Sequence, residues 1–340
     1  MDFVYVVVSK GKDTYLEQTI LSIESLRRTN PDGNITVLVD QGTAATLVGR
    51  RHKVYDVADE VKVVTCPEGY NNKLRSRYLK TTMYSHMAGD FVYIDGDTLV
   101  CGPMDDVAGD YDIGGVPDRH FIFSKHPLKE TLETNISPCG YRVYGDKYFN
   151  GGFMYVRRSE RAERLFRLWE ELWKASLLHA VSQDQPSLNE ANYRMEGVIH
   201  ELSGIWNCQI SRHSSWLPYL HDAKIIHYFA SNEEGTVPYL LSDDDLLRHA
   251  LDDVYPAELQ TILDNPKAAF SDSMRILSHP LRIEIYESEV FNWVYKLCRN
   301  KALKALFSVA NGIVIIGMWP YRTIKEARRR RNEKGMGKAK

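Results

Sequence analysis

Four short apolar runs, separated by segments of helical character or by turns, constrain this chain towards an open α/β sheet. Phe3–Val8, Ile35–Val39, Val61–Val64 and Phe91–Ile94 are almost wholly apolar, as expected of strands covered on both faces. After the first run, Thr14 and Glu17 have the spacing of a capping box. Tyr15, Ile20, Ile23 and Leu26 then recur near the helical period, and Pro31-Asp32-Gly33 closes the segment. Residues 74–88 read as the helix before the fourth run. This alternation predicts a parallel, doubly wound sheet with helices on its faces. Further on, Gly152–Val156 and Lys224–Tyr228 read as strands. A helix from Glu160 to about Leu178 presents Leu165, Leu168, Leu172 and Trp173 as a core stripe, and residues 241–299 are helical in pattern but more polar. Residues 119–147 form a long irregular excursion of the kind that carries function.

The fourth run ends in Asp95-Gly96-Asp97. A strand delivers its last residues to the sheet edge where open α/β folds bind ligands. Two carboxylates there suit a hard divalent cation, and Gly96 between them leaves the approach of a ligand open. The triplet also reads as an ordinary acidic turn, so its meaning depends on its company. Three other groups fall near the ends of expected elements: Phe149-Asn150-Gly151-Gly152, Gln183-Asp184-Gln185-Pro186 and Ile225-Ile226-His227-Tyr228. An imidazole beside carboxylates favours a transition ion such as Mn²⁺ over Ca²⁺, which makes His227 a candidate third ligand; alone, it reads as a core or surface histidine. Asp184 ahead of Pro186 also suits a helix N-cap. Lys73, Arg75, Arg77 and Lys80 precede the acidic strand, as phosphate ligands or as a solvated helix face. Trp206-Asn207 and Trp216 are candidates for stacking on sugars or for core anchors.

In this order, the four groups resemble the GT-A glycosyltransferases, closest to family 8, over roughly residues 1–230. The resemblance implies a GT-A, Rossmann-like, mostly parallel sheet with an appended helical region. It implies Mn²⁺ (or Mg²⁺) held by Asp95, Asp97 and His227 against the diphosphate of a UDP-sugar. Arg77 and Lys80 then face the donor phosphates and sugar. Asn150, Gly151 and Gly152 lie beside the sugar, and Asp184 and Gln185 lie near the reacting anomeric carbon. Asp118, after Ile113-Gly114-Gly115-Val116, matches a donor-sugar contact, while Val8, Ser9 and Asp40 fall near the base and ribose. Retention of anomeric configuration and a glycan or lipid-linked acceptor are also implied. One departure is visible: family 8 has His-Phe-X-Gly followed shortly by a lysine, whereas this chain reads His227-Tyr228-Phe229-Ala230 with no lysine at that spacing. Rival readings of Asp-Gly-Asp are a nucleotidyltransferase, a haloacid-dehalogenase-like phosphatase and a non-catalytic sugar-nucleotide-binding module.

Composition adds bounds. At 340 residues, 44% apolar and 26% charged, the chain is ordinary globular protein. The expected division is a catalytic domain over 1–235, a helical extension over 236–300 and a tail over 301–340. Five scattered cysteines without metal-ligand spacing fit a reduced, cytoplasmic setting, and Asp2 with an early Lys10 does not fit a secretory leader. Residues 322–340 hold nine Lys or Arg and two Glu, so the tail carries +7, and with −2 overall the preceding 321 residues carry −9. Ahead of this lies Ala305–Tyr321, a mostly apolar stretch of 17 residues, short of the ~20 that span a bilayer. Paired apolar and basic signals predict peripheral attachment to an anionic membrane surface, with no nucleic-acid partner.

Overall fold

The computed structural model describes residues 1–211, 214–229, 241, 243–267 and scattered positions between 305 and 317. Its strands are β1 (Asp2–Val7), β2 (Asn34–Asp40), β3 (Glu60–Val64), β4 (Phe91–Ile94), β5 (Thr98–Val100), β6 (Ile113–Pro117), β7 (Phe149–Val156), β8 (Ile199–Glu201), β9 (Cys208–Gln209) and β10 (Ile225–His227). Among the described residues, seven of them form one sheet in the order β3-β2-β1-β4-β7-β6-β8, and β5-β10-β9 form a second. The expected parallel core is present: β1 pairs in parallel with β2 and β4, and β2 with β3. Side chains alternate across it. Phe3, Tyr5 and Val7 enter one buried cluster and Val4 the other; Val92 and Ile94 likewise oppose Phe91 and Tyr93. β1, β2 and β4 are buried on both faces, which is why their runs read as nearly unbroken apolar sequence, whereas the edge strand β3 leaves Val63 exposed.

Two features that the sequence pattern left unspecified build the site. The sheet is mixed, because β7 runs antiparallel between β4 and β6. The register Ile94↔Phe153 therefore sets the first residues of β7 just past the carboxyl end of β4, and the Asp95 N–H donates to the Gly152 carbonyl at 2.9 Å. The second sheet was not foreseen: Lys224–Tyr228 was expected as a strand and forms β10, but its partners β5 and β9, of three and two residues, carry no readable period. In it, β10 pairs antiparallel with β5 in the register His227↔Thr98, and the Tyr228 N–H donates to the Asp97 carbonyl at 3.1 Å. Backbone pairing alone thus brings His227 to an acidic pair 130 positions earlier.

Helix ends follow tertiary partners more than local motifs. The helix Tyr15–Thr29 begins at Thr14, but no capping box forms. Thr14 Oγ1 donates to Asp244 Oδ1 at 3.3 Å, and buried Glu17 faces Arg248 at 3.6 Å. Ser159 does cap the helix Glu160–Ser176 by accepting from the Ala162 N–H, and that helix buries Leu165, Leu172 and Trp173 as expected. The excursion over 119–147 holds short 3-10 turns and a helix, Lys129–Ile136. Two compact units divide at Ile276, Met1–Ile276 and Leu277–Lys340. Residues 244–264, within the expected 236–300 extension, belong to the first unit: Tyr255 donates to Glu24 at 2.7 Å and Arg50 pairs with Asp252. The rest of that extension and most of the tail lie outside the described residues; positions described between 305 and 317 are helical. Among the described residues, no helix is long and apolar enough to cross a membrane.

Candidate active site

One cleft of about 590 Å³ opens at the carboxyl ends of β1 and β4. Val8, Arg77, Lys80, Asp95, Gly96, Asp97, Asn150, Gly152, Asp184, Gln185 and His227 all line it. One ligand atom each of Asp95, Asp97 and His227 lies within 4.8 Å of the others. Asp97 Oδ1 is 3.1 Å from His227 Nε2, and the imidazole, 2% exposed, packs against the tilted Phe229 ring with centroids 4.0 Å apart. Burial pushes the Asp97 carboxyl up, but the facing imidazole, its hydrogen bond and Lys80 outweigh it and hold the group below the usual carboxylate range. Gly152 forms the floor: a Cβ there would stand 2.4 Å from His227 Cε1 and 2.7 Å from Asp95 Oδ2. Two carboxylates, an imidazole and a floor without side chain fit a divalent transition ion.

Beside this trio, the helix Asn72–Thr82 contributes three cations to the lining, exposed Lys73 and the deeper Arg77 and Lys80. Buried Lys80 reaches Asp95 Oδ1 at 3.1 Å and lies 3.9 Å from Asp184 Oδ2, with the Tyr93 ring 5.0 Å away. Arg77 Nε pairs with Asp184 Oδ1 at 2.8 Å. Asp184 precedes the helix Gln185–Arg194, yet its side chain makes no cap; its carbonyl instead accepts from Trp169 Nε1 at 2.8 Å, which fixes it at the cleft wall. Gln185 Oε1 accepts from the Gly151 N–H at 3.2 Å.

Four residues expected at the site sit behind the lining. Asp40 is fully buried, accepts from Gly42 and Thr43 amides and pairs with Arg75 at 2.6 Å. The Ser9 N–H donates to Thr43 Oγ1, while Arg51 donates to its hydroxyl. Gly151 presents its amide to Gln185. Asp118 gives one oxygen to Asn150 Nδ2 at 2.7 Å and the other to His126 Nε2 at 2.9 Å. Burial pushes the Asp118 carboxyl up, and those two bonds more than reverse it. Trp206 and Trp216 are core anchors in separate apolar clusters. Tyr93, whose hydroxyl donates to Asp95 Oδ1, was not singled out from sequence. Its position two residues before Asp95 on a strand was the available signal, because such residues share a face. His126 and the role of Asn207 carried no comparable signal.

His120 gives the region an acid-sensitive joint. Its Nε2 accepts the Gln209 N–H at 3.0 Å, and burial lowers its pKa from 6.5 to about 4. The unfolded chain takes up a proton between those values that the folded protein refuses, so stability rises with pH across that window and is lost as pH falls through it. Denaturant unfolding at pH 5 should give a stability about 2 kcal/mol below that at pH 7.5, and His120→Gln should flatten the difference. An unchanged pH slope in that variant would contradict this assignment.

No protein-family model matches the chain, and no curated protein matches it. Its likeness is to solved structures. The galactosyltransferase LgtC, in complex with donor and acceptor sugar analogues, superposes with a TM-score of 0.50 at 18% identity, covering 77% of this chain and 99% of that one. An active-site mutant of LgtC superposes with a TM-score of 0.51 at 17% identity, covering 76% of this chain and 99% of that one. This likeness establishes the architecture: the chain has the GT-A fold and resembles family-8 glycosyltransferases in it.

Proposed function

We propose that this protein is a metal-dependent glycosyltransferase that moves a hexose from a UDP-sugar to a glycan or lipid-linked acceptor, with retention of configuration. The observation that carries this reading is the convergence of Asp95, Asp97 and His227 on one point of the cleft, beside Arg77, Lys80 and Asp184. A divalent ion held by the trio, Mn²⁺ or Mg²⁺, would act as a Lewis acid on the charge that a nucleoside diphosphate gains as the sugar leaves. Three cleft carboxylates, Asp95, Asp97 and Asp184, against three cations, Lys73, Arg77 and Lys80, leave the lining neutral; a divalent ion brings it to +2, the sign a diphosphate needs.

The chain's own groups complete the work. Lys80 lies within reach of both Asp95 and Asp184, so a diphosphate arriving at the trio gives its ammonium a stronger partner. Arg77 orients Asp184 through its ion pair. Asn150, the Gly152 backbone and Gln185 line the wall assigned to the sugar, with Gly151 behind it donating to Gln185, and Gly152 admits close approach. Asp184 and Gln185 are assigned to the anomeric centre, Gly96 and Val8 to the nucleotide, and Asp118 to supporting Asn150 from behind. Ser9 and Asp40 shape the loop under the nucleotide through Thr43. The polybasic tail is assigned to an anionic membrane surface at about 1 kcal/mol per basic residue. Cosedimentation with anionic vesicles should fall with salt and be lost from a chain ending at Asn300; equal binding by both chains would refute it.

A panel of sugar nucleotides, read by free UDP with and without Mn²⁺, tests the reading. UDP release from one UDP-hexose that disappears with chelator is expected. Release independent of metal, or none from any UDP-sugar with acceptors supplied, would overturn it.

A further inference from the structure

Behind the metal trio runs a chain of buried amides whose hydrogen-bond direction is fixed at its start. The Gly152 backbone N–H can only donate, and it donates to Asn150 Oδ1 at 2.8 Å. Asn150 Nδ2 is therefore the donor end of that amide, and it donates to the Asp118 carboxylate at 2.7 Å. Asn207 Nδ2 donates to the same Asn150 Oδ1 at 3.0 Å, since an oxygen facing an oxygen would repel. That leaves Asn207 Oδ1 as the atom 3.2 Å from His227 Nδ1. An amide oxygen only accepts, so the ring nitrogen it faces must carry a proton. Asn207 is fully buried, His227 is 2% exposed and Asn150 is 5% exposed, so water does not compete for these bonds.

We infer that Asn207 is a positioning residue that keeps a proton of His227 on Nδ1, so that Nε2, which shares its place with the Asp97 carboxylate at 3.1 Å, is the nitrogen a divalent cation takes. The ordering reaches from a backbone amide of β7, through two asparagines, to the ring on β10. Metal-binding histidines commonly have their second nitrogen committed to an acceptor, because this fixes both ring rotation and tautomer. Without that acceptor the ring is free to place its proton on Nε2, where Asp97 Oδ1 lies at 3.1 Å, and a cation must then displace it. Asn207 touches neither cation nor sugar and acts through His227. This role deepens the metal-dependent reading above, and the test separates the two.

The first readout needs neither metal nor activity. In the full chain labelled with ¹⁵N-histidine, long-range ¹H–¹⁵N correlation at pH 8.5, with His227 assigned through His227→Gln, should show His227 protonated at Nδ1. In Asn207→Leu the proton should move to Nε2, while Asn207→Asp, which restores an acceptor for the ring, should keep it on Nδ1. The second readout is binding of Mn²⁺ alone, followed by loss of the free-ion paramagnetic resonance signal. Affinity should fall about 10–100-fold in Asn207→Leu and recover at least in part in Asn207→Asp. A wild-type His227 with an unprotonated Nδ1 overturns the inference even if the Leu variant misfolds. So does unchanged Mn²⁺ affinity in a folded Asn207→Leu protein. Nδ1 protonation in a wild-type chain that binds no Mn²⁺ would instead overturn the metal-dependent reading and leave the Asn207–His227 bond standing.

Discussion

Asp97→Ala is expected to lower metal-dependent turnover by on the order of 10³-fold while leaving the fold intact. The asymmetry follows from what the carboxylate does. Its side chain is about one-fifth exposed at 21%, and among its contacts His227 is the one it holds by hydrogen bond. Removing it orphans no backbone group: the Asp97 carbonyl keeps its bond from Tyr228, and Thr98 still bonds the Asp95 carbonyl at 2.9 Å. It removes a repulsion from Asp95 together with the attraction to His227 and Lys80 that holds the carboxyl below its usual range, so the loss of stability is small beside the loss of turnover. Turnover within a few-fold of wild type, measured as UDP release at saturating Mn²⁺, would contradict the assignment of Asp97.

Gly152→Ala should be nearly as damaging, by a different route. The added methyl would lie 2.4 Å from His227 Cε1, 2.7 Å from Asp95 Oδ2 and 2.9 Å from Asn150 Oδ1. None of these can give way cheaply: the imidazole is held by Asn207 and Phe229, Asp95 by Lys80 and Tyr93, and the strand by partners on both edges. Overpacking of this kind destabilises by about 1–3 kcal/mol, and splaying the trio should weaken Mn²⁺ binding by about 10²-fold or more, since ligand geometry sets affinity. Gly151→Ala is the control. Its methyl would meet Lys80 at 3.6 Å and Asp184 at 3.7 Å, ordinary contact distances, so Mn²⁺ affinity and melting temperature should stay near wild type. Calorimetric Mn²⁺ titration compares the two; equal affinity in both variants would show that the floor of the site is not as close as described.

Much of this was legible in the residues because it was written in short-range pattern. The runs Phe3–Val8 and Ile35–Val39 match β1 and β2 to within a residue, since burial on both faces leaves an unmistakable apolar stretch. Asp95, Asp97 and His227 were also legible, as polar residues at the ends of such stretches. What escaped was set by tertiary partners. The reversed direction of β7 is decided by how the chain re-enters after the 119–147 excursion, and a strand reads the same in either direction. The capping box at Thr14 and Glu17 lost to Asp244 and Arg248, residues some 230 positions away. Asp40 and Ser9 stand at strand ends as a nucleotide contact would, yet Thr43, Arg75 and Arg51 claim them. Asn207 and Asn150 gain their direction only from the Gly152 amide, which no pattern along the chain can reveal.

The most direct test of the account is a crystal grown with Mn²⁺ and UDP, with the ion located by anomalous scattering. The account predicts one manganese bound directly by the Asp95 and Asp97 carboxylates and His227 Nε2, bridging to both phosphates. Manganese bound without His227, or phosphates seated away from the Asp95–Asp97 pair, would contradict it.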